Sequence, residues 1–64
     1  MQEPVILRTS GNPVRMSFLL AVLTGEGLEA DLRNVRIGIW WLLVRADQAE
    51  TARSLLRDAE ASLA

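Results

Sequence analysis

The hydrophobic positions of this chain change period several times along its length, and each change marks an element. Pro4-Val5-Ile6-Leu7-Arg8-Thr9 reads as a first strand, with Pro in the opening position where no ladder donor is lost. Ser10-Gly11-Asn12 is turn material. Asn12 suits a helix cap and Pro13 the first helical position, and a mostly apolar run from Val14 to Leu23 follows before Gly25 and Gly27 stop the helix. Val14, Phe18, Ala21 and Val22 mark one face of that helix, and Met16, Leu19, Leu20 and Leu23 much of the other. An apolar arc this wide exceeds what one side of a small sheet can cover, so the helix is either sandwiched or meets another chain.

Beyond the glycines the period drops to two. Leu28, Ala30 and Leu32 alternate with Glu29, Asp31 and Arg33, as in a half-buried strand over Leu28 to Arg33. Asn34 to Gly38 is expected to connect it to the next strand, with Gly38 as the turn residue. Ile39-Trp40-Trp41-Leu42-Leu43-Val44 is apolar on both faces, the mark of a central strand. Asp47-Gln48-Ala49-Glu50 matches a capping box and predicts a last helix with Ala52, Leu55, Leu56, Ala59 and Leu63 on one stripe.

The order is therefore β-α-β-β-α in a single domain over residues 1–64. A right-handed first β-α-β unit with the third strand inserted gives the sheet order β1-β3-β2. This is an α+β fold, a ferredoxin-like split β-α-β truncated before its last strand, with a three-stranded antiparallel sheet and both helices on one face. The missing strand would have paired with β1, so that edge is left open and Val5-Ile6-Leu7 brings no charge to protect it.

Leu7-Arg8-Thr9, Asn12-Pro13-Val14, the exit Gly27-Leu28-Glu29-Ala30, and Leu43-Val44 followed by Asp47 and Ala52-Arg53-Ser54-Leu55-Leu56 together resemble a family of short bacterial domains of unknown function. These are labelled prokaryotic signal-transducing proteins and have a ferredoxin-like fold similar to the PII signalling proteins. The resemblance spans nearly the whole chain and implies a regulatory role. It brings no catalytic residue, and nothing between Arg33 and Gly38 has the length of the PII nucleotide-binding loop.

Composition narrows the chemistry. The chain has no His, Cys, Lys or Tyr, and so lacks the usual general base, thiolate, Schiff-base amine and phenol. Gly25-Glu26-Gly27 follows a helix, whereas a phosphate cradle precedes one. The inventory argues against an enzyme, and no cofactor or metal is expected. Glu26, Glu29 and Asp31 read as a solvated face in preference to a cation site. The net charge of -1 argues against nucleic acid as a partner. The longest apolar stretch, Ile37 to Val44, is far short of the roughly 20 residues that span a bilayer. Met1-Gln2-Glu3-Pro4 has no signal-peptide character, so a cytoplasmic location is the default expectation.

Adjacent strand residues face opposite ways. With Val44, Leu42 and Trp40 toward the helices, Trp41, Leu43 and Arg45 lie on the open sheet face. The same phasing sends Val5, Leu7 and Thr9 inward and Ile6 and Arg8 outward, which places Arg8 beside Trp41. Ile6, Arg8, Trp41, Leu43 and Arg45, with the bare β1 edge, form the expected contact surface for a protein partner, most simply a second copy in a dimer. The alternative is a single-stranded nucleic-acid binder that uses Trp41 with Arg8, Arg33 and Arg45.

Overall fold

A computed structural model describes residues 3–63, with side chains over 3–62. Three strands and two helices run in the order β1 (Val5–Ser10), α1 (Pro13–Gly25), β2 (Ala30–Arg36), β3 (Ile39–Val44), a short 3-10 turn (Ala46–Gln48) and α2 (Ala49–Leu63). The sheet order is β1-β3-β2, with β3 antiparallel to both neighbours. β1 and β2 are thus parallel to one another around an inserted β3, a split β-α-β arrangement with three strands among the described residues.

Local chemistry sets the ends of α1. The Asn12 side chain accepts a hydrogen bond from the Arg15 amide at 3.1 Å, and Pro13 occupies the first turn. At the other end, the Gly27 amide donates to the Thr24 carbonyl and the Leu28 amide to the Leu23 carbonyl. Those two bonds make a Schellman stop, which requires the left-handed backbone that Gly27 adopts at φ +84°. Leu28 belongs to this stop, so β2 begins at Ala30 and not at Leu28 as the alternation predicts.

The strand also ends later than predicted. Asn34 pairs with Trp40 and Arg36 with Ile39, so Val35 is an extra residue in the ladder. This bulge carries the pairing to Arg36 and leaves only Ile37 and Gly38 (φ +77°) to turn the hairpin. The Gly38 carbonyl lies so close to Gly11 that a Cβ there would sit 2.8 Å from its oxygen.

The core lies between the sheet and both helices. Leu42 and Val44 of β3, Leu7 of β1, Met16, Leu19 and Leu23 of α1, and Ala49, Ala52 and Leu56 of α2 are buried together. Trp40, Leu32 and Ala30 pack against this cluster, as the strand phasing requires. On the predicted α2 stripe, Leu55 and Ala59 are half-buried, while the Leu63 side chain lies outside the described residues.

The predicted capping box does not form. The Asp47 carboxylate is taken by Arg45, whose Nε and Nη2 approach it at 2.6 and 2.7 Å. A bidentate charge-assisted pair outcompetes a lone backbone amide for the same oxygens. The Gln48 side chain meanwhile accepts from the Glu29 amide at 2.9 Å. Asp47 is left inside the 3-10 turn, and α2 starts two residues later.

Candidate interaction surface

The outer face of the sheet carries no helix among the described residues. Two cross-strand rows define it: Thr9, Trp41 and Arg33, then Ile6, Leu43 and Asp31. Trp41 is half-buried and Ile6 is 45% exposed. Leu43 points away from the helices as expected, yet only 5% of it meets solvent, so it offers no contact area.

Arg8 is not on this face. Ile6 pairs with Leu43 and Arg8 with Leu42, so Leu7 is an extra residue in β1. At such a bulge two consecutive side chains oppose one partner, and the alternation resumes shifted by one. Leu7 and Arg8 therefore both turn toward the helices, and Thr9 takes the outward place beside Trp41. The predicted Arg8–Trp41 neighbourhood is replaced by an ion pair with α2. Arg8 Nη2 and Nε donate to Glu60 Oε1 at 2.8 and 3.2 Å, and Nη1 donates to the Leu7 carbonyl. Arg15 of α1 reaches the same carboxylate at 3.6 Å, so Glu60 ties both helices to β1. The hydrogen bond from Arg8 is the main reason that the Glu60 carboxyl sits below its ordinary range, against the opposing effect of desolvation.

Arg45 remains exposed, but its charge is spent locally. Besides Asp47 it reaches Glu29 Oε2 at 3.3 Å. The hydrogen bond from Arg45 pulls the Asp47 carboxyl below its ordinary range, and the Arg45 guanidinium is held charged in turn. Of the arginines grouped with Trp41 in the nucleic-acid alternative, only Arg33 stands across from it. Its Nη2 lies 3.9 Å from Asp31. Glu29 and Asp31 thus each have an arginine nearby, and no group of three or more acidic side chains is placed to hold a metal ion among the described residues. A shallow cleft of about 400 Å³ between Leu28, Leu43, Arg33 and Arg45 opens beside them.

The β1 edge is bare of a fourth strand among the described residues. Its bulge nevertheless interrupts the row of donors and acceptors that edge pairing needs. Another uncovered apolar surface lies on the opposite side of the molecule. Met16, Leu19 and Leu23 turn α1 toward the core, which leaves Val14 79% and Phe18 44% exposed, with Ala21 also exposed and Val22 half-buried. No described element covers that side of the helix. The width of the apolar arc carried this signal in the sequence, since a helix apolar all round must bury more than one stripe. No helix among the described residues is long and apolar enough to cross a membrane. Compared with family models, with curated proteins and with solved structures, the chain matches none.

Proposed function

We propose that this chain is a non-catalytic association module that acts by binding another protein surface, in the regulatory role implied by its resemblance to the bacterial signal-transducing domains. The observation that carries this reading is the uncovered apolar side of α1, where Val14 is 79% and Phe18 44% exposed. Exposing such side chains on a domain this small is costly unless a partner removes them from water. The residue inventory supports the same reading, because the chain has no His, Cys, Lys or Tyr with which to run general-base or nucleophilic chemistry. Ile6 and Trp41 on the outer sheet face supply a second apolar area.

A photo-crosslinking residue placed at Phe18, in cells of the source organism, tests the proposal. A discrete protein adduct, absent when the same group replaces the exposed Arg53, is the expected result. Equal, diffuse labelling from both positions would overturn it. Titration of the two tryptophans with short RNA and DNA oligomers across salt concentrations addresses the nucleic-acid alternative, and the association reading expects no salt-dependent quenching.

A further inference from the structure

We infer that the uncovered face of α1 is self-complementary and pairs, antiparallel about a two-fold axis, with α1 of a second copy of this chain. This inference rests on the association reading and names the occupant of its surface.

Val14, Phe18, Ala21 and Gly25 are all exposed and lie along one line of the helix. Their spacing of four, three and four residues is that of a coiled-coil seam. The bulky side chains stand in the first half of the seam and the small ones in the second. In an antiparallel pair, Val14 of one copy falls against Gly25 of the other, and Phe18 against Ala21, so each large residue meets a small one. A parallel pair would set Phe18 on Phe18 and Gly25 on Gly25, which leaves a void at one end and a clash at the other.

Gly25 makes the case independently. It sits in the last helical turn without a positive φ, and a Cβ built there would meet nothing within 4 Å. Nothing in the folded chain requires glycine at this position, where alanine would favour the helix. A recess for the facing Val14 does require it.

The charges agree. Arg15 is the one charged residue within α1, and Glu26 follows its last turn, on the same flank of the seam. Glu26 is poorly placed at the negative end of its own helix, and it makes no ion pair among the described residues. Antiparallel pairing brings it to the positive end of the facing helix and toward the facing Arg15, whose 3.6 Å contact with Glu60 is long and leaves its 48% exposed side chain able to meet a second carboxylate. The seam from Val14 to Gly25 is about 17 Å long at about 1.5 Å per residue, so it buries less than a standard interface, and the dimer belongs to the weak, concentration-dependent class.

Sedimentation velocity on the full chain, up to about 1 mM, tests the pairing. The expected result is a concentration-dependent shift from monomer to dimer. Phe18→Asp should abolish the shift with an unchanged thermal melt. Ala21→Phe should weaken association about tenfold or more, and the double swap Phe18→Ala with Ala21→Phe should restore it. Because the chain has no Cys, a mixture of Val14→Cys and Gly25→Cys proteins should oxidise to the mixed disulfide in preference to either homodimer. A monomer at every concentration, a dimer that survives Phe18→Asp, or preferential Val14→Cys homodimers would each overturn the inference. A monomer whose Phe18 photo-adduct in cells is a different protein overturns self-pairing alone. Absence of both overturns the association reading as well.

Discussion

Removing the charge on Glu60 should loosen the whole domain, because that one carboxylate links β1, α1 and α2. Arg8 approaches Glu60 at 2.8, 3.2 and 3.4 Å, and Arg15 adds a longer contact at 3.6 Å. The Arg8 and Glu60 side chains are 33% and 25% exposed, so solvent screens the pair only in part. Its worth lies between an exposed ion pair, about 0.2–1 kcal/mol, and a charge-assisted bond fully removed from water, about 1.5–3 kcal/mol. Glu60→Gln keeps the shape and one acceptor oxygen, and its expected cost is about 1 kcal/mol. In a domain of this size that is a fall of about 4–8 °C in Tm. The sign with pH follows from the Glu60 carboxyl lying below its ordinary range. Its stabilisation is complete above that range and is lost as pH falls through the folded-state value. Thermal melts of wild type and Glu60→Gln should therefore differ at neutral pH and converge on acidification. A double-mutant cycle with Arg8→Gln should show positive coupling. Equal melting temperatures at neutral pH, or a gap that persists to about pH 2, would refute the reasoning.

Leu42→Ala should cost about 2–5 kcal/mol, against a total stability of about 3–10 kcal/mol for a chain this short, and loss of amide dispersion in a proton NMR spectrum would report the unfolding. Ile37→Ser, at a fully exposed hairpin position, should leave the same spectrum and the melt unchanged. Gly11→Ala should lower the melting temperature by an amount that corresponds to about 1–3 kcal/mol, because its Cβ meets a backbone oxygen at 2.8 Å and not a side chain that can swing away. An unaltered melt would show that the contact between the β1–α1 turn and the hairpin relaxes without cost.

The parts of this fold that can be read from the chain are those whose causes are local. Asn12-Pro13 opens α1, Gly27 closes it, Gly38 turns the hairpin, and six consecutive apolar residues from Ile39 place β3 in the centre. The strand order then follows from connection rules. The two bulges have no such local mark. An extra residue at Leu7 is written in the pairing with β3, and the group that receives the redirected Arg8 lies 52 residues away. Alternation read straight through Leu7 therefore puts Arg8 on the wrong face, and with it the expected Arg8–Trp41 contact. Asp47 fails for a related reason: the capping box is present, but Arg45 two residues before it takes the same carboxylate in a bidentate pair. The first departure moves Arg8 off the outer sheet face, and both draw an arginine into a pair with a carboxylate of the same chain. The bulge also disrupts the β1 edge as a template for another strand. What no described element covers is the outward stripe of α1, with Val14 79% and Phe18 44% exposed, and the proposed association rests on that stripe because burying it would remove apolar area from water.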